Sequence, residues 1–288
     1  MVVAHRGAST VQAEHTLLAY RQALDRGADG LECDVRLTRD GHLVCVHDRR
    51  VDRTSDGRGV VSDLDLARLA ELDFASWHAG TGEQWPDSAD DLMSDEPYLA
   101  GVAPDRDADT GRVLTVDVLL ALCADAGRPV TLLIETKHPT RYAGLVEKEL
   151  VRRLRRFALA GAAGPGGGRR PPAPVSTAPS GVQVVVMSFA PIALRRVRLL
   201  APDLPTVLLL DRLAPIRRSG ELPTGTAIAG PGLAVLRQDP DFVARAHARG
   251  NQVFVWTVDA AEDVRFVLDL GVDAVITNDP VTALRVRG

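Results

Sequence analysis

Two carboxylates, Glu32 and Asp34, stand two positions apart in the run Gly30-Leu31-Glu32-Cys33-Asp34-Val35. In a β-strand both would project from one face while Cys33 points to the other, because strand side chains alternate. Glu135 and Lys137 share a face by the same rule at the end of a second apolar run. Three carboxylates gathered closely repel one another and need protons or a cation to stay together. Oxygen-only ligands favour a hard divalent ion, Mg²⁺ or Ca²⁺, over zinc. The pattern therefore points to one metal held by Glu32, Asp34 and Glu135. His5 and His47 can each give and take a proton near neutrality, and Arg6 and Lys137 are fixed cations suited to phosphate oxygens. Metal, cations and two imidazoles together describe hydrolysis of a phosphate ester, with the histidines serving the attacking and leaving oxygens. The expected order has His5 as base and His47 as acid, although residue types alone leave that order open.

For these groups to meet, the fold must bring distant segments to one place. Runs rich in Val, Ile and Leu at 2–5, 30–36, 43–47, 130–136, 182–188, 206–211, 226–229, 252–257 and 274–277 read as strands. Between them, 15–26, 117–126, 142–158, 192–200, 242–249 and 261–270 carry apolar residues at helical spacing. Residues 43–47 follow their predecessor after Asp40-Gly41, a hairpin signal, and read as an excursion. Eight strand–helix units remain, which fits an α/β (β/α)₈ TIM barrel with an insertion after its second strand. The C-terminal strand ends of a barrel converge on one mouth. His5-Arg6, Glu32-Cys33-Asp34, Glu135-Thr136-Lys137 and Trp256-Thr257 all fall at or near such ends.

The 288 residues are 45% hydrophobic and 25% charged, which is ordinary for a globular chain, and one domain over 1–288 is expected. No apolar run approaches the ~20 residues of a membrane span, and no signal peptide is expected at the N-terminus. With 34 basic against 38 acidic side chains, the net charge of −4 is a poor match for nucleic acid. Cys33, Cys45 and Cys123 lack metal or redox spacing and read as buried thiols in a reducing cytoplasm. Residues 48–112 lack a strong period and read as the insertion, covering one face; they include an acidic stretch from Asp87 to Asp95. Residues 161–181 form a Gly/Pro/Ala/Ser tract expected to be a flexible loop. Its glycines precede no Lys-Ser/Thr, so a phosphate loop is not expected.

Several motifs, in order along the chain, resemble those of the glycerophosphodiester phosphodiesterases. They are His5-Arg6-Gly7, Glu14 with Thr16, Gly27-Ala28-Asp29, Leu31-Glu32-Cys33-Asp34-Val35, Thr38-Arg39-Asp40-Gly41, His47-Asp48 and Asp52-Arg53-Thr54. Later come Glu135-Thr136-Lys137, Ser188-Phe189, Trp256-Thr257-Val258, Gly271-Val272-Asp273-Ala274 and Thr277-Asn278. The resemblance implies a (β/α)₈ barrel that uses a divalent metal to hydrolyse glycerophosphodiesters to sn-glycerol 3-phosphate and an alcohol. It makes Glu32, Asp34 and Glu135 metal ligands, His5 and His47 the acid/base pair, and Arg6 and Lys137 phosphate contacts. The family's usual Pro-Glu-Asn-Thr is here Ala13-Glu14-His15-Thr16.

Taken singly, most of these residues have duller readings. His47-Asp48 alone is a turn, Glu32/Asp34 alone an acidic edge, and Trp256 a core residue. In this pattern Trp256 is also a candidate pocket wall against the glycerol carbons. Ser188 has no nucleophile elbow and reads as a rim residue. His15, His42, His78, His138 and His247 carry no special signal, although His138 borders the Glu135 cluster. Competing functions are a lysophospholipase D-like enzyme on lipid substrates, an enolase-type lyase and a catalytically silent phosphate-binding barrel. Glu-x-Asp on one strand disfavours the second, and the presence of every expected catalytic residue disfavours the third. The expected partner is a small glycerophosphodiester, with no stable membrane insertion.

Overall fold

A computed structural model describes residues 1–80, 111–138, 143–160, 181–213 and 217–288. In chain order the strands are β1 (Val2–His5), β2 (Gly30–Leu37), β3 (Leu43–Cys45), β4 (Val130–Thr136) and β5 (Val182–Ser188), followed by β6 (Thr206–Leu210), β7 (Ile228–Pro231), β8 (Gln252–Val255) and β9 (Ala274–Thr277). All but β3 pair in parallel, and β9 pairs with β1, so eight strands close into a TIM barrel. The hairpin strand β3 lies antiparallel on β2, outside the barrel sequence, with Val35 opposite Cys45.

Strand alternation sorts the side chains. Val3, Leu133, Val185, Met187, Val207, Leu209, Phe254 and Ile276 fill the barrel interior. Leu31, Cys33, Val35, Leu132 and Ile134 point outward, against Tyr20 of α1 (Leu17–Asp25), Leu119 and Leu120 of α3 (Val116–Ala124) and Leu150 and Leu154 of α4 (Leu145–Arg156). Since Leu133 points in, Glu135 does too, and Glu32 and Asp34 take the inward positions of β2. Register then brings the polar ends together: His5 sits opposite Glu32 on the β1–β2 pair, and Asp34 opposite Glu135 on the β2–β4 pair.

Two glycines permit this closeness. A side chain at Gly30 would meet the Thr131 carbonyl oxygen at 2.5 Å, so only glycine lets β2 begin against β4. At Gly7, φ is +88° and a Cβ would lie 2.7 Å from the Ala19 backbone, so the chain turns out of β1 directly against α1. Thr16 caps that helix, its hydroxyl accepting from the Ala19 N–H at 3.2 Å.

Boundaries differ modestly from expectation. Strand β7 starts at Ile228 rather than at 226, because the preceding residues form a turn in which Thr226 N–H reaches the Pro223 carbonyl. The short helix α6 (Leu233–Gln238) and the last helix α9 (Pro280–Arg287) were not expected; the second begins at an Asp279 cap followed by proline. Within the expected insertion, residues 48–80 carry short turns and the four-residue helix α2 (Leu66–Leu69). They share with β3 a small core of Val44, Val46, Val51, Val61, Leu69, Leu72 and Phe74. The acidic stretch Asp87–Asp95 lies outside the described residues, as does the 161–181 tract except for Gly181.

Candidate active site

At the C-terminal mouth of the barrel, His5, Arg6, Glu32, His47, Glu135, Lys137 and Trp256 line one pocket of about 260 Å³. Asp34 lies buried beside it, and Glu32, Asp34 and Glu135 each offer one oxygen such that these atoms fall within 4.8 Å of one another. All seven are residues singled out in the sequence, and Asp34 completes the carboxylate group. The rest of the wall comes from the polar Arg36 and His138 and the apolar Met187, Phe189, Leu209 and Ile276.

The carboxylates differ in electrostatic state. Burial, reinforced by the Asp34 charge, pushes Glu32 well above the usual carboxylate range. Burial likewise raises Glu135, with Asp34 adding to the effect and Lys137 opposing it. Asp34 is buried just as fully, yet Lys137, Arg6 and the imidazoles of His47 and His15 together outweigh burial and hold it well below its usual value. Its Oδ1 faces the Lys137 ammonium at 3.0 Å. Three buried oxygens, two of them on carboxyls that resist ionisation, fit a hard divalent cation, which would let all three ionise.

Both expected phosphate contacts lean on these acids. Lys137 Nζ lies 3.0 Å from Asp34 Oδ1 and 3.1 Å from Glu135 Oε1, and the two carboxylates raise its affinity for the proton against the effect of burial. Arg6 adopts φ +57°, which turns its side chain back so that Nε is 3.0 Å from Asp34 Oδ2 and Nη1 is 3.3 Å from Glu14.

The two histidines have different backing. His47 Nδ1 lies 2.7 Å from Asp48 Oδ1, and its carbonyl oxygen accepts from Arg36 Nε and Nη2 at 2.8 and 2.6 Å. Asp48 in turn accepts from Arg53 Nε at 2.6 Å, and Arg53 reaches both oxygens of Glu14 at 2.8 and 2.9 Å. Although burial opposes ionisation, Glu14 is held well below its usual pKa by Arg6 and Arg53, and Asp48 by His47 and Arg53. His5 Nδ1 lies 2.7 Å from Asn278 Oδ1, while its Nε2 is 3.9 Å from Glu32 Oε2.

Sequence reasoning passed over several supports. His15 is buried, with Nε2 3.0 Å from Asp34 Oδ2 and Nδ1 2.7 Å from the Tyr20 hydroxyl; burial lowers its pKa. The signal was its place in Ala13-Glu14-His15-Thr16, where the family motif has Asn; both residue types tolerate the positive φ of 61° found there. His138 lines the pocket, with Nε2 2.9 Å from the buried Glu147. Phe189 meets Trp256 edge to face at 5.3 Å, and Trp256 Nε1 donates to the Gly230 carbonyl at 2.7 Å, which fixes the indole plane. Ser188 is fully buried rather than exposed at the rim: its hydroxyl donates to the Thr136 carbonyl at 3.0 Å and ties β5 to β4.

The model of the Glycerophosphoryl diester phosphodiesterase family matches residues 5–282. A probable glycerophosphodiester phosphodiesterase 1 of Mycobacterium tuberculosis is 44% identical over 97% of this chain and 89% of its own length. The glycerophosphodiester phosphodiesterase of Bacillus subtilis is 34% identical over 97% of this chain and 84% of its own. Among solved structures, a putative glycerophosphoryl diester phosphodiesterase from Silicibacter pomeroyi superposes with a TM-score of 0.71 at 25% identity, covering 99% of this chain and 92% of that one. An Oleispira antarctica phosphodiesterase in complex with the product sn-glycerol-3-phosphate shares the fold, with a TM-score of 0.74 at 21% identity, over 100% of this chain and 96% of that one.

Proposed function

The chain belongs to the glycerophosphoryl diester phosphodiesterase family and is a phosphoric diester hydrolase, and we propose that it converts glycerophosphodiesters to sn-glycerol 3-phosphate and an alcohol. The observation that carries this reading is the meeting, at one pocket and its buried edge, of two oriented imidazoles and three buried carboxylate oxygens, these oxygens within 4.8 Å of one another. Glu32, Asp34 and Glu135 hold one divalent cation, Mg²⁺ or Ca²⁺. When bound, that cation supplies Lewis-acid stabilisation of charge on the phosphoryl oxygens.

The chain's own residues do the rest. Arg6 and Lys137 balance two of the three carboxylate charges and present their remaining N–H donors to the phosphate. His47 draws the proton from the attacking oxygen at Nε2. Asp48 behind it favours the imidazolium that results, as a carboxylate does behind any imidazole base. His5 gives a proton to the leaving oxygen from its own Nε2. That order reverses the expected one, and the support for the reversal is that a carboxylate backs His47 and a neutral amide backs His5. The attacking oxygen belongs to water or to the glycerol 2-hydroxyl of the substrate; hydrolysis in oxygen-18 water, analysed for a cyclic phosphate, separates these routes. Trp256 and Phe189 pack on carbon atoms of the substrate.

A pocket of about 260 Å³ suits a headgroup diester better than a lipid-bearing one, being smaller than the roughly 300–1,000 Å³ of drug-sized sites. Among the described residues, no helix is long and apolar enough to cross a membrane. The protein works in the cytoplasm, a reading supported by three buried free thiols; burial pushes that of Cys123 up to about 12. The deciding assay compares glycerophosphocholine, glycerophosphoethanolamine and a lysolipid, with and without EDTA. Turnover of the soluble diesters that EDTA stops and added metal restores supports the proposal. Metal-independent turnover, or preference for the lysolipid, contradicts it.

A further inference from the structure

Behind His5 stands a hydrogen-bonded chain that the reaction scheme does not yet use. Asn278, just past β9, lies with Oδ1 2.7 Å from His5 Nδ1 and with Nδ2 donating to Asp259 Oδ2 at 2.9 Å. Asp259, in the loop between β8 and α8 (Ala261–Asp269), also accepts from the Asn278 N–H at 2.7 Å and the Thr277 hydroxyl at 3.0 Å. The Ser9 hydroxyl lies 2.9 Å from both Asn278 Oδ1 and the His5 carbonyl oxygen.

Donor and acceptor chemistry permits one arrangement. A carboxylate only accepts, so the amide nitrogen of Asn278 must face Asp259 and its oxygen must face His5. Turning the amide over would set oxygen against oxygen. With Oδ1 fixed as an acceptor, His5 Nδ1 must carry hydrogen, whether the ring is neutral or protonated. Proton exchange is thereby confined to Nε2, the atom near Glu32 on the pocket side. We propose that Asn278, anchored by Asp259, is a positioning residue for the reaction: it locks the His5 tautomer and ring plane so that Nε2 meets the reacting oxygen.

The proposal rests on the reading of His5 as a proton-transfer group. The anchor spans three neighbouring strand ends, since Ala4 of β1 pairs with Thr277 of β9, and β8 adjoins β9. The amide orients without adding charge, unlike Asp48 behind His47. Its loss therefore falls on the chemical step and not on substrate binding.

The test uses the full chain with divalent metal supplied. Asn278→Ala lowers kcat about tenfold or more, with KM within about twofold of wild type. Asp259→Asn acts in the same direction. The exchanged pair Asp259→Asn with Asn278→Asp puts an acceptor back behind His5 and a donor back beside it, and it recovers most of the lost kcat. Long-range proton–nitrogen spectra, recorded at a pH where the imidazoles are neutral, show Nδ1–H for His5 in wild type and a tautomer mixture in Asn278→Ala. The proposal is overturned if Asn278→Ala keeps full kcat while His5→Ala is inactive, or if its His5 remains Nδ1–H. A loss of kcat that tracks a fall in melting temperature and is not recovered by the exchanged pair also overturns it. Should His5→Ala itself keep wild-type turnover, the proton-transfer reading fails, and the spectra still decide the positioning claim.

Discussion

His47 is held at three points: Asp48 at Nδ1, the Arg36 guanidinium at its carbonyl oxygen, and Arg53 behind Asp48. In the proposed mechanism the His47 imidazole transfers a proton, so His47→Ala should lower turnover about 10²-fold or more without unfolding the protein. Asp48→Asn keeps an acceptor at Nδ1 but loses the charge that favours imidazolium; turnover should fall about tenfold, with KM little changed. Steady-state kinetics on glycerophosphocholine check both, and wild-type kcat in His47→Ala would remove it from the mechanism. At this scale the sequence was informative where chemistry and spacing coincide. The shared faces of Glu32 with Asp34 and of Glu135 with Lys137 were legible from strand alternation, and the place of His5 at the mouth from its position at the end of β1. Asn278, Asp259 and His15 were not, because their roles arise in turns, where the direction of a side chain depends on backbone dihedrals that no periodicity encodes. Arg6 shows the same limit: its place at the end of β1 was legible, but its contact with Asp34 is made from a backbone at φ +57°.

Among the elements, the segment after β3 is strapped to the barrel by charge. Arg53 bridges Asp48 and Glu14, and Glu14 also meets Arg6, with all of these side chains largely buried. Breaking such a pair on one side leaves a buried charge unmatched, so Arg53→Met should cost about 2–3 kcal/mol in urea unfolding. The folded pKa of both Glu14 and Asp48 is depressed. Their stabilising effect is therefore complete above their ordinary values of 4.5 and 3.8 and is lost as pH falls below these toward the folded values. Wild type should lose stability through this acid range more steeply than Glu14→Gln; equal slopes would exclude Glu14 from the effect. The strap was hard to foresee: residues 48–80 have no single period, because their apolar side chains serve a small local core and their charged ones reach the strand ends. The barrel strands, by contrast, were legible from short apolar runs and hairpin punctuation, with errors confined to boundaries: β7 starts two residues later than expected, and the runs expected to reach 47 and 257 end at Cys45 and Val255.

Across the whole molecule, eight strands converge on a site whose charge is incomplete. Three carboxylates face two fixed cations, and Glu32 and Glu135 have raised folded pKa values. A raised acid binds its proton more tightly when folded, so the metal-free protein should lose stability as pH rises above the ordinary carboxylate value of 4.5 toward the folded values. A divalent cation bound there would replace those protons. Metal uptake should therefore release protons, and affinity should strengthen with pH; titrations in buffers of different ionisation enthalpy measure the release. A metal concentration 100 times Kd should stabilise the fold by about 2.7 kcal/mol, visible as a rise of several degrees in melting temperature. An unchanged melting temperature after chelation would contradict this linkage.

The most direct measurement is calorimetric titration of Mg²⁺ and Ca²⁺ into chelator-stripped protein, beside the triple variant Glu32→Gln, Asp34→Asn, Glu135→Gln. One saturable site per chain for at least one of the two ions, absent from the variant, is the predicted result. No uptake of either ion by the wild-type protein, or equal uptake by the variant, would contradict the account of the pocket as a three-carboxylate metal centre.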